Sequence, residues 1–313
     1  MAEIWVMGEM IVEIMRTAEN VPLDKAGCFK GPFPSGAPAI FIDTAARLGH
    51  QAGIIGGVGK DDFGKCLLNR LGADGVDISQ VLVNEKVSTG CAFVTYFEDG
   101  SRKFIFHIGN TPAAEAKAPK KDILRGVRYF HVMGCSLASD LGFAGEILKT
   151  VKLAKELGAK ISFDPNVRPE LMGNERAAEI IEEILELTNV FLPGREELMM
   201  LMKKESLEEA VRVCLEKENM EILALKRGAK GCIVYTRDEV IEAGAYHVTP
   251  VDATGAGDCF DGAFICGLLE GRSLLETIKM ASAAGALNTA AFGPMEGNIS
   301  TESIQKMTEE ETI

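Results

Sequence analysis

RYFHVMGCSLASDLGFAGEILKTVKLAKELGAKISFD, residues 128–164, decides the fold. It opens on a short apolar run, RYFHVMG, and passes through an amphipathic stretch, FAGEILKTVKLAKELG. It closes on a second apolar run, AKISFD, that ends in an acid. The middle portion repeats its apolar residues at the spacing of one helix face. The flanking runs are short and do not alternate, as expected of strands buried on both faces. Strand, helix, strand is the crossover unit of a parallel sheet. The pattern continues with ERAAEIIEEILELT (175–188), NVFLP (189–193) and EELMMLM (196–202), and MEILALK (220–226) closes the series. A parallel sheet with helices on both faces follows, and such open sheets take their ligands at the carboxyl ends of the strands. Four loops after strands therefore matter most: 164–168, 193–197, 226–231 and 252–258.

The first 110 residues read differently. FIDTAARLGHQAGIIGGVG (41–59) is another helix–strand pattern, whereas STGCAFVTYFEDGSRKFIFHIG (88–109) alternates as strands do around an E-D-G-S turn. This hairpin, with residues 9–16, is expected to form a small sheet over the site.

Composition sets limits. The chain has 313 residues and a formal net charge of −13, which argues against a general nucleic-acid binder because phosphate neutralisation needs excess Lys and Arg. No apolar run reaches the roughly 18 residues of a membrane span. The stretch MAEIWVMGEMIVEIMR has acids where a secretory signal would have Lys or Arg, so the expectation is a cytoplasmic protein with no membrane partner. Eight cysteines without a C-x-x-C pair read as reduced, mostly buried thiols. GGVGKDDFG (56–64) is no Walker loop, because Ile54 stands where the first Gly is required and Asp61 where Ser or Thr is. No G-x-G-x-x-G follows the first strand.

VDATGAGDCFDGAF (251–264) places Asp258 behind three small residues, Gly255, Ala256 and Gly257, at the start of a helix predicted near Gly257. The first amides of a helix have no partners within it and carry partial positive charge, and small residues let an oxyanion approach them. An acid there is either a plain helix-start residue or the base that phosphoryl transfer needs, taking a proton from the attacking hydroxyl.

DATGAGDCFDGAF resembles the signature of the ribokinase-like (PfkB) family of carbohydrate kinases. GEMIVEI (8–14), SGAPAIFIDTAARLG (35–49), VGKDDFG (58–64), FDPNVRP (163–169), EEL (196–198) and LKRGAKG (225–231) follow in the family's order. The resemblance covers nearly the whole chain. It implies one domain over 1–313, a doubly wound, mostly parallel α/β sheet with a small β-sheet lid. The lid segments would be roughly 10–17, 28–35 and 88–110. It further implies transfer of the γ-phosphate of ATP, with Mg²⁺, to a sugar hydroxyl. The expected acceptor is a ketose or keto-sugar acid: 2-keto-3-deoxygluconate first, fructose or tagatose next. A homodimer through the lid is expected.

Carried over by position, Asp258 is the catalytic base, Gly255, Ala256 and Gly257 form the anion hole, and Arg168 faces sugar and phosphates. Glu13, Ser35, Gly36, Ala37 and Asn166 fall on sugar-binding positions, and His107 lies in the lid segment beside the sugar. Lys226, Gly228 and Gly231, with Gly255 and Gly257, fall on the nucleotide. Glu197 would hold Mg²⁺ through water, and Asp252, Thr254 and Gly293 resemble a monovalent-cation site suited to K⁺. Ile40 stands where the family usually has Asn, Glu13 where it has Asp, and Gly194 where it has Asn, so the sugar is the open question. A non-catalytic sugar or nucleotide sensor and a nucleoside kinase on the same fold are the alternatives.

Overall fold

A computed structural model describes residues 2–137, 140–166 and 175–310. Its large sheet has nine strands. Third from one edge lies β1 (Ile4–Met7), which pairs in parallel with β4 (Ala52–Gly59) on one side and β8 (Tyr129–Met133) on the other. β5 (Asp77–Asn84) lies outside β4, and the remaining strands of the first 110 residues belong to a second sheet. Beyond β8 come β9 (Lys160–Asp164), β10 (Val190–Phe191) and β11 (Ile222–Lys226), all parallel. The order is thus that of crossover units growing outward in both directions from β1. MEILALK does not close the sheet: β12 (Cys232–Tyr235) and β13 (Val240–Ala243) add two antiparallel edge strands.

The unbroken apolar run IWVM of β1 reflects burial on both faces. Ile4 and Val6 enter one core, and Trp5 and Met7 enter the other, the parity of a strand. The first core packs α1 (Ala37–Arg47), α7 (Ala256–Leu269) and α8 (Leu274–Thr289) on the sheet. The second packs α3 (Leu141–Glu156) and α4 (Glu175–Leu187), with α5 (Arg195–Leu201) and α6 (Leu207–Leu215) beside them. No helix among the described residues is long and apolar enough to cross a membrane. The eight cysteines are free, but only four are buried.

The second sheet has the order β3-β2-β6-β7, from β2 (Ile11–Arg16), β3 (Phe29–Ser35), β6 (Cys91–Tyr96) and β7 (Arg102–His107). β6 and β7 form the hairpin read around E-D-G-S, with Cys91 opposite His107. β2 and β6 pair in parallel, so the lid's centre joins two distant parts of the chain.

Candidate active site

The helix predicted near Gly257 is α7. Its N-cap is Gly255, left-handed at φ 80°, and a Cβ there would stand 2.4 Å from the Pro294 carbonyl, so only glycine makes this turn. The preceding loop is tied down at both ends. Asp252 accepts from the amides of Thr254 (2.9 Å) and Gly293 (3.2 Å), and Asn288 Nδ2 donates to the Thr254 carbonyl at 2.8 Å. Asp258 follows in the first turn of α7, 9% exposed. Asp252, Thr254 and Gly293 do meet, through these hydrogen bonds. Among the described residues no group of three or more His, Cys, Asp or Glu could hold a metal.

Gly255, Gly257 and Asp258 open onto a cavity of about 780 Å³ beneath the lid. Ser35, Gly36, Ala37, Glu13, Asn166, Glu197 and Lys226 share it, as the sequence placed them. Glu13 is 5% exposed; its Oε1 accepts from Ser35 Oγ at 2.6 Å, while its Oε2 is buried with no partner. Burial pushes the Glu13 carboxyl up to about 7, against the pull of the Ser35 hydrogen bond. A Cβ on Gly36 would strike the Glu9 carbonyl at 2.5 Å, so that turn runs against backbone. Ile40 lines the cavity and backs the anion turn, 3.2 Å from the Cβ position of Gly255.

Glu197 caps its own helix, accepting from the Gly194 amide at 2.7 Å through Oε2, and also faces the cavity. One carboxylate, with waters and phosphate oxygens completing the shell, suits Mg²⁺. Lys226 is held inside: Nζ meets Asp164 Oδ2 at 2.9 Å and the two Asp261 oxygens at 3.0 and 3.1 Å.

Several expected residues fall elsewhere. Ala256 donates its amide to the Ala253 carbonyl at 3.3 Å and does not line the cavity, whereas Gly255 and Gly257 on either side of it do. His107 lies on the opposite face of β7 from Phe104 and Phe106, which line the cavity; its ring meets Phe93 edge-on at 6.0 Å. Strand parity turns it outward. Gly228 and Gly231 shape the turn into β12, and neither lines the cavity. Arg168 lies outside the described residues.

Three participants went unread. Glu9, just past β1, is 6% exposed at the cavity; Oε1 accepts from Cys135 Sγ at 3.1 Å and Oε2 from Ser136 Oγ. Its signal was available, since it too follows the end of a strand. From the lid, Tyr96 Oη donates to Asp252 Oδ2 at 3.2 Å and Arg102 Nη1 donates to Thr254 Oγ1 at 2.8 Å. Such contacts between remote segments leave no local pattern.

An open α/β sheet, an acid behind an anion-binding turn and a lidded polar cavity together define a small-molecule phosphotransferase. The chain belongs to the pfkB family of carbohydrate kinases, whose profile matches residues 1–301. It is 33% identical to fructokinase-1 of Zea mays over 298 residues, covering 91% of each chain. It is 32% identical to fructokinase-2 of Solanum lycopersicum, covering 91% of this chain and 90% of that one. An E. coli protein assigned as a ribokinase II, solved in complex with ATP and Mg²⁺, superposes with a TM-score of 0.94 at 38% identity. That match covers 99% of this chain and 100% of the other.

Proposed function

We propose that the protein transfers the γ-phosphate of Mg·ATP to a hydroxyl of a neutral ketose, with fructose the first candidate. The observation that supports this reading is the grouping of Asp258, Glu13 and Glu9 around one cavity that the Gly257 amide also enters. Carboxylates accept from sugar hydroxyls, whereas the carboxylate of a sugar acid would be repelled by this floor. The relatives named as fructokinases point the same way. Support thus moves from 2-keto-3-deoxygluconate to fructose. Arg102 and Lys103, at the lid side of the cavity, are the groups that a sugar acid would use, and they keep it as the comparison substrate.

In this reading Asp258 takes the proton of the attacking hydroxyl, and Glu13 Oε2 gains the hydrogen bond it lacks. The first amides of α7 face the transferred group. Mg²⁺, held near Glu197, supplies charge neutralisation on the phosphates. The exposed outer-face residues Phe29 (38%) and Ile105 (42%) of the lid support pairing with a second copy, which the mass in solution tests.

An ADP-release assay with Mg·ATP over fructose, tagatose, 2-keto-3-deoxygluconate, ribose and adenosine tests the function. Turnover of fructose above the others is expected. Selective turnover of 2-keto-3-deoxygluconate or adenosine would replace the ketose reading. Saturable sugar binding with no ADP formed would favour a sensor.

A further inference from the structure

Lys226 ends β11 with its ammonium inside the protein, and its two partners come from different elements. Asp164 ends β9, and Asp261 stands three residues past Asp258 on α7, hence on nearly the same helix face. A Cβ built on Gly257 would lie 3.9 Å from Lys226 Nζ. The ammonium therefore sits directly beneath the turn whose amides enter the cavity.

Asp261 is 0% exposed in a helix that is apolar apart from it and Asp258. A carboxyl group there costs desolvation unless it is paired, so packing alone gives no reason for it. A lysine ammonium on its flexible stem, held by Asp164 alone, could swing about one carboxylate. The bidentate contact with Asp261 adds a second anchor and fixes its position relative to Asp258, since both acids ride on one helix. Burial and the Asp164 charge push the Asp261 carboxyl well up, with Lys226 pulling it down. Asp164 is held low: burial opposes this, but Lys226 and a hydrogen bond from Asp261 outweigh it. Of the two acids, Asp261 is therefore the one that favours its neutral form and Asp164 the one that favours its charge.

We propose that Asp261 is a positioning residue that, with Asp164, sets the Lys226 ammonium beneath the Gly257 turn, where it meets the terminal phosphate of the nucleotide. The inference rests on the phosphotransfer reading, and its test does not depend on finding the right sugar. Calorimetry would give Kd for Mg·AMPPNP and Mg·ADP with the parent, Asp261→Leu, Asp261→Asn, Lys226→Met and the Lys226→Met/Asp261→Leu double variant. Asp261→Ser serves as the truncation if the Leu variant does not fold.

The truncation is expected to weaken AMPPNP about tenfold and ADP less than about twofold, because only AMPPNP has the terminal phosphate. Asp261→Asn, the shape of the protonated acid, should stay within about threefold of the parent. The double variant should bind no more weakly than Lys226→Met, since Asp261 acts through that lysine. Equal loss for both nucleotides, no loss for either, or additive effects in the double variant would each overturn the proposal. A parent that binds nucleotides in this pattern yet phosphorylates no sugar would sink the kinase reading and leave the inference standing.

Discussion

Arg102 on the outer strand of the lid donates to Thr254 Oγ1 at 2.8 Å, so the cover of the cavity is bonded to the loop that leads into the base. Tyr96 reaches Asp252 of the same loop. The lid thereby closes on the phosphate side of the cavity through two side chains. Arg102→Met is expected to raise KM for the sugar by about three- to tenfold, the value of one charge-assisted hydrogen bond at a partly exposed site, with kcat changed less. Steady-state kinetics decide it, and an unaltered KM would show that the latch is incidental.

Asp258→Asn keeps the shape of the first turn of α7 and removes the base. The expected loss in kcat is about 10²–10⁴, with the unfolding temperature near that of the parent. Retained turnover would mean that another group takes the proton.

Glu13 links function to pH. Its folded carboxyl titrates at about 7 against an ordinary 4.5, so the native state holds a proton that the unfolded chain releases. Stability contributed by that proton is present below 4.5, falls as pH rises through the window to 7, and stays lost above it. Glu13→Gln should therefore be more stable than the parent at pH 8, by on the order of 3 kcal/mol at most, and no more stable at pH 4. The same variant should bind sugar more weakly. Urea unfolding at the two pH values checks the sign; a variant destabilised at pH 8 contradicts it.

Gly231 separates a fold role from a nucleotide role. Its φ of 84° with ψ −141° is a conformation essentially restricted to glycine, and a Cβ would stand 2.1 Å from the Ala243 carbonyl of the neighbouring edge strand. Gly231→Ala should cost at least the roughly 1–3 kcal/mol of an alanine held in so sparse a region, because backbone must also move. Its KM for ATP should match the parent in the folded fraction. A selective rise in that KM would show that Gly231 also serves the nucleotide.

These cases also show what the sequence could carry. Asp258, Glu197 and Asn166 were legible because they follow strands or open helices, and a loop's place after a strand is written locally. The crossover units were legible because both faces of β1 and β8 are buried, which leaves continuous apolar runs. His107 was misplaced because one residue of register reverses the face of a strand, and nothing local to FIFHIG fixes which face looks inward. The Asp164–Lys226–Asp261 triad joins residues 62 and 35 positions apart from the lysine, so only the folded chain brings it together. The edge strands β12 and β13 were missed because they follow in a hairpin, after the helical rhythm has ended.

The strands of the lid all lie before residue 108, whereas the loop that they latch begins at Asp252. On a ribosome that adds 5–20 residues per second, the lid strands exist for roughly seven to thirty seconds before that loop is synthesised. Phe104 and Phe106, which later look into the cavity, lack during that interval the part of its wall that Ala253–Asp258 supplies. Newly made chains therefore pass through a stage in which the lid strands are complete but neither Tyr96 nor Arg102 has the partner that latches it.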